Sequence, residues 1–269
     1  MKKRIFCAGI FAAALSLSFL SGCRKVLDYI ISKPGGIAKN CDIKMVTSNY
    51  ANDCDDGNDF SDTAWFSYNP QGDPVSIIYA ISRFYECFSY PEDKFFKYDY
   101  SNKLVLYLNN AFASGKAALY WHKYSYVNSH LITDSTFEYA AGDWFINDQP
   151  QYFARVDVTT FELDHFGRVI REVGGVNNIN ATYIYDSNGN LVKPGVTYTN
   201  KTNIRQTNKV WMFLDRDYSI NSPVGEVSQF NQSGLPVKLN QMPHFIYPSL
   251  YFGNYDTGFN NMLVSYTCK

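Results

Sequence analysis

One short motif returns along this chain and limits what it can fold into. Two apolar residues stand two apart, Asp or Asn follows, then a polar stretch often holding Gly, then another apolar residue. The clearest copy is Tyr183-Ile184-Tyr185-Asp186-Ser187-Asn188-Gly189-Asn190-Leu191, and Phe161-Glu162-Leu163-Asp164-His165-Phe166-Gly167-Arg168-Val169 is a second. A third runs from Phe66 through Tyr68, Asn69 and Gly72 to Val75, and a fourth from Phe96 through Tyr98 and Asp99 to Leu104. Phe230-Asn231-Gln232-Ser233-Gly234-Leu235-Pro236-Val237 is a fifth, and looser copies surround Tyr124–Leu131 and Met212–Ile220. Apolar residues two apart share one face of a strand. An Asp or Asn oxygen accepts from the amide two residues on and starts a turn. A residue at positive φ lets the turn close. Each copy therefore predicts a β-hairpin with one oily face, turning at Asp164 and Gly167, Asp186 and Gly189, or Asn231 and Gly234.

A single hairpin is marginal in water, so serial copies must bury their oily faces together. The expected fold is all-β: a large twisted antiparallel meander, curved toward a half-barrel, with at most short helices near the N-terminus. Cys41 to Thr47 and Gln151 to Thr159 alternate as strands, and Asn261 to Cys268 reads as a final strand. Residues 51–62 form a polar segment, and Pro243–Gly258 is rich in Pro, Gly and aromatics. The motif resembles the YD-repeat family, named for its Tyr-Asp pair and Gly turn. It is also similar to envelope lipoproteins of the Bacteroidota that carry degenerate YD-like hairpins.

The N-terminus predicts location. Lys2, Lys3 and Arg4 form a positive region, and Ile5 to Leu17 an apolar one too short to span a bilayer. Leu20-Ser21-Gly22-Cys23 then resembles the lipobox of bacterial lipoproteins. The resemblance implies cleavage before Cys23 and lipidation of its thiol and amine. The expected organisation is a signal peptide over 1–22, a lipidated tether over 23–40 and one all-β domain over 41–269. Arg24 follows the lipid site, where Asp would resemble an inner-membrane retention signal, so the outer membrane is favoured. The run Arg24-Lys25-Val26-Leu27 lacks the acidic character of a surface-export signal, which favours the periplasmic side.

Lys and Arg number 24 against 25 Asp and Glu, with no basic cluster beyond the leader, so nucleic acid is not an expected partner. The expected partners are the membrane, through Cys23, and an envelope protein or glycan. Cys41, Cys54, Cys87 and Cys268 follow the anchor; the compartment permits disulfides, and four cysteines allow three full pairings. No Gly-x-Ser-x-Gly elbow, Walker loop or His-Glu-x-x-His occurs, and no cofactor is expected. Asp53, Asp55 and Asp59 form a weak calcium candidate, because Gly57 falls at a ligand position and no closing Glu follows. Trp65, Trp121, Trp144 and Trp211 are stacking candidates for sugar rings, although filling the core or lining the sheet faces is the favoured reading of them. The function expected is a lipid-anchored, non-enzymatic scaffold or binding module for protein, peptide or glycan. The alternative is a glycan-active hydrolase using two cleft carboxylates drawn from Glu138, Asp143, Asp157 and Glu162.

Overall fold

The computed structural model describes residues 41–50, 60–81, 93–110, 118–138, 145–146, 149–150, 155–175, 177–241, 243, 245–246 and 262–268. The strands begin with β1 (Cys41–Tyr50), β2 (Phe60–Tyr68), β3 (Pro74–Ile81), β4 (Asp93–Tyr98), β5 (Leu104–Asn110), β6 (Ala118–Asn128) and β7 (Leu131–Glu138). They continue with β8 (Phe145–Ile146), β9 (Gln149–Pro150), β10 (Arg155–Leu163), β11 (Val169–Gly174), β12 (Ile179–Thr182) and β13 (Tyr198–Thr202). The last are β14 (Asn221–Pro223), β15 (Val227–Phe230), β16 (Pro236–Leu239) and β17 (Met262–Cys268). Thirteen of them make one sheet in the order β12-β11-β10-β7-β6-β5-β4-β3-β2-β1-β17-β16-β15, and it does not close into a barrel. The pairs β13–β14 and β8–β9 form separate ribbons.

All pairings in the large sheet are antiparallel, so successive connections fall at opposite ends of it. The turns after β2, β4, β6, β10 and β15 share one end, called here the turn end. Cys41, which opens β1, and Cys268, which closes β17, sit at that end too, paired in register and joined by a disulfide. Of the three full pairings open to the four cysteines, two are thereby excluded. Cys54 and Cys87 lie outside the described residues.

Local chemistry explains the turns. At Asn69, Asp99, Asp164, Asp186 and Asn231 the side chain accepts from the amides two and four residues on, at 2.8–3.0 Å. The residue three on takes positive φ, as at Gly167 (77°) and Asn102 (55°). This is a tight turn closed by a left-handed bulge residue, and the strand register slips there, for instance between Glu162 and Leu163.

One face of the sheet carries the main core. Ile43, Phe66, Ile77, Phe96, Tyr107, Tyr124, Phe161 and Val264 meet there in one cluster. The helix α1 (Lys209–Asp215) packs onto it, led in by a 3-10 turn at Ile204–Thr207 and capped by the Asn208 side chain. Trp211 of α1 meets Phe66 of β2 and Phe96 of β4 edge-on, at 5.7 and 5.6 Å. Phe213, two residues on, meets Tyr124 of β6 and Phe161 of β10 at 5.2 and 5.4 Å. In a flat sheet β2 and β10 would lie roughly 29 Å apart, six strand spacings. Two neighbouring side chains of one short helix reach both, so the sheet curls around α1.

Two features depart from expectation. A helix forms at Lys209–Asp215, far from the N-terminus, and it occupies the start of the looser Met212–Ile220 copy, which is therefore not a hairpin. Val210, Trp211 and Phe213 are buried from its inner side, and this tertiary burial outweighs a weak strand-like pattern. Aromatic burial is also not confined to one face: Leu106, Leu108 and Trp121, flanked by Phe95 and Phe137, form a second, smaller cluster on the opposite face.

Candidate functional site

The inner face changes character along the strands. Near the turn end it is aromatic; one row further on, β6 and β7 place polar groups. The His122 Nδ1 lies 3.0 Å from the Asp134 carboxylate and 3.2 Å from the Thr136 hydroxyl. These are cross-strand neighbours, since His122 pairs with Thr136 and Tyr124 with Asp134. The ring stacks against Tyr107 at 5.4 Å and Tyr124 at 6.3 Å. The Asp134 side chain is buried, while 23% of the His122 side chain stays exposed. A buried carboxylate on one ring nitrogen fixes the orientation of the imidazole and leaves its other edge to meet a ligand.

Beside this group stands Arg216, which ends α1 in the left-handed conformation. Its guanidinium lies 4.3 Å above the Phe161 ring, and its Nε is 3.7 Å from Glu172. The Tyr183 hydroxyl donates to the same Glu172 carboxylate at 2.6 Å. Burial is the largest influence on Tyr124 and Tyr183; together with Asp134 for the first and Glu172 for the second, it pushes both phenols above their ordinary range.

A second polar group is structural. Arg205, which is buried, donates to Asp215 and Glu226 at 2.6 Å each and to Asn203 at 3.2 Å. Burial drives the Glu226 carboxyl upward in spite of Arg205. Burial also pushes Asp217 upward, but Arg205, Lys193 and Ser219 outweigh it and hold that carboxyl below its ordinary range. Lys94, fully buried, donates to the Phe245 and Ile246 carbonyls at 2.9 and 2.7 Å. These bonds hold Phe245 and Ile246 against the sheet.

Of the described tryptophans, Trp211 is fully buried on the inner face against Phe245, Trp121 is buried on the outer face and stacks on Phe137 at 4.0 Å, and Trp65 is 41% exposed. Trp65 lies on the outer face, paired with Met45 and Ile78. Trp144, Cys23 and the calcium candidates Asp53, Asp55 and Asp59 lie outside the described residues. Among the described residues no group of three or more His, Cys, Asp or Glu could hold a metal ion. Asp164, Gly167, Asp186, Gly189, Asn231 and Gly234 all sit in the tight turns described above. Asp157 and Glu162 fall on opposite faces of β10, with Glu162 paired to Arg171 at 3.2 Å, so those two cannot face each other across a cleft. Glu138 and Asp143 have no described side chain.

Sequence reading misses the His122–Asp134–Thr136 group, although the signal is present. Counting outward from the turn after β6 pairs His122 with Thr136 and Tyr124 with Asp134, which places His122 diagonal to Asp134.

No protein family matches this chain, and neither does any curated protein. Among solved structures it is similar to a porin-like protein from Bacteroides uniformis ATCC 8492, at 12% identity and a TM-score of 0.30, over 84% of this chain and 98% of that one.

Proposed function

We propose that this chain is a lipid-anchored envelope protein, held to the periplasmic side of the outer membrane through Cys23, that works as a non-enzymatic binding module for a glycan. The observation that carries the binding role is the His122 ring. It is tethered through Nδ1 to buried Asp134, stacked on two tyrosines and still partly exposed. A ring so held binds with little further ordering cost. Tyr107 and Tyr124 are themselves buried, so the part-exposed imidazole, fixed beside Asp134 and Thr136, is the group that would meet a sugar's hydroxyls.

Calorimetric titration of the mature protein with envelope-glycan fragments tests the ligand. His122→Ala and Asp134→Asn should each weaken binding roughly tenfold, the worth of one hydrogen bond, with the β-sheet circular dichroism signal retained at the titration temperature. Binding that ignores both substitutions, or no binding to any fragment, removes the glycan reading. The anchor is tested separately by palmitate labelling, which Cys23→Ser should abolish.

A further inference from the structure

We propose that the turn end of the sheet is a membrane-contact surface that rests on the lipid headgroup layer. Tyr100 is 100% exposed, Val127 61%, Phe166 56%, Ile184 61% and Val192 57%. Scattered apolar residues are ordinary on a protein surface. These five share one end. Tyr100 lies in the turn after β4, Val127 next to the turn after β6, and Phe166 in the turn after β10. Ile184 follows β12 as the chain runs toward the same end, and the Val192 amide donates to its carbonyl at 2.7 Å. Among the described residues the other large exposed apolar side chains, Trp65, Ile179, Leu263 and Val224, stand on β2, β12 and β17 and just after β14, outside these turns.

The chain itself indicates which partner this edge meets. Cys41 opens β1 at the turn end and is fastened there to Cys268. The segment 23–40 therefore enters the domain at this end. Fully extended it spans at most roughly 60 Å, and because it joins the domain at the turn end, that end lies closer along the chain to a lipid on Cys23 than the opposite one does. At these turns Asp164 accepts from turn amides and is ion-paired with Arg168 at 2.7 Å, the Asp99 carboxylate is folded back onto turn amides, and Lys103 is an exposed cation. Tyrosine and phenylalanine among cations are the residues that settle at the membrane–water interface. A body bound this way holds the His122 row facing away from the membrane. The proposed contact rests on the anchor at Cys23 but not on the identity of the ligand at His122.

Two measurements test it. The lipidated full chain is placed in vesicles of phosphatidylethanolamine and phosphatidylglycerol doped with brominated lipid, with Tyr100→Trp, Phe166→Trp and Leu263→Trp made singly. Added fluorescence at 100 and 166 should be quenched well beyond that at 263. The unlipidated Cys23→Ser chain should also partition weakly onto the same vesicles. Adding Tyr100→Ser, Val127→Ser and Phe166→Ser should lower that partition roughly tenfold or more with no change in melting. Equal quenching at the three sites, or partition unaffected by the serine substitutions, overturns the proposal. The partition arm needs no lipid on Cys23, so its outcome is independent of the anchor.

Discussion

The Tyr98 hydroxyl donates to the Pro74 carbonyl at 2.8 Å. Pro74 stands five residues after Asn69, the residue that starts the neighbouring turn. The relation recurs: Tyr126 donates to Leu104, five after Asp99; Tyr185 to Val169, five after Asp164; and Tyr266 to Pro236, five after Asn231. The tyrosine of one strand thus caps the first carbonyl after the turn beside it. For Tyr98-Asp99 and Tyr185-Asp186 this gives the Tyr-Asp pair a physical meaning: Asp closes its own turn, and Tyr locks the adjacent one.

Removing one such hydroxyl leaves the neighbour's carbonyl unpaired. Tyr98→Phe should cost about 1–1.5 kcal/mol, read as a lower urea midpoint at unchanged slope. Tyr185→Phe, whose bond is longer at 3.3 Å, should cost less. Equal midpoints for Tyr98→Phe and the parent would mean the ladder contributes nothing to stability.

The same tyrosines set the alkaline limit. Burial pushes Tyr126 up to about 12 and raises Tyr98, Tyr185 and Tyr266 further. An unfolded tyrosine titrates near 10. Below that pH both states keep the proton and the contribution is fully present. Above it the folded state binds more protons, so stability falls as pH rises toward and through the folded values. Ionisation of Tyr98, Tyr126, Tyr185 and Tyr266, followed by ring-carbon NMR shifts, and loss of the β-sheet circular dichroism signal should therefore rise together between about pH 10 and 12. Ionisation of these four near pH 10 in a still-folded protein would contradict this.

Two glycines should differ sharply. A Cβ at Gly174 (φ 110°) would lie 2.2 Å from the Val158 carbonyl oxygen, whereas one at Gly234 (φ 78°) meets nothing within 4 Å. Gly234→Ala should cost about 1 kcal/mol of backbone strain. Gly174→Ala should cost roughly 3 kcal/mol or more, because the β10–β11 pair must separate. Chemical denaturation of the two variants side by side measures the difference.

The buried Arg205 ion pairs predict non-additivity. Arg205→Met should destabilise by roughly 3–5 kcal/mol, since it strands Asp215 and Glu226 without their cation. Adding Asp215→Asn and Glu226→Gln should recover most of the loss. A triple variant no better than Arg205→Met would mean that packing of the arginine stem, not charge pairing, matters there.

The disulfide joins positions 227 residues apart. Replacing Cys41 and Cys268 with Ser should cost roughly 2–5 kcal/mol and lower the melting temperature toward that of the reduced parent. An unchanged melting temperature would show that β1–β17 pairing alone holds the seam.

The hairpins are written in short stretches of chain. An Asn69 or Asp164 turn is closed by bonds that span at most four residues, and alternating Tyr and Phe place an oily face beside it. Both are local, so both are legible from the order of residues alone. The remaining features depend on how the strands assemble. Which cysteines meet follows from the order in which thirteen strands stack. The helix at Lys209–Asp215 exists because a curled sheet offers Trp211 and Phe213 a buried place, and short helices draw their stability from such packing more than from their own residues. Tyr100 and Phe166 come to the same end of the sheet only once strand order and direction are fixed. Those arrangements are set by contacts between distant segments, whose free energy no single stretch of chain contains.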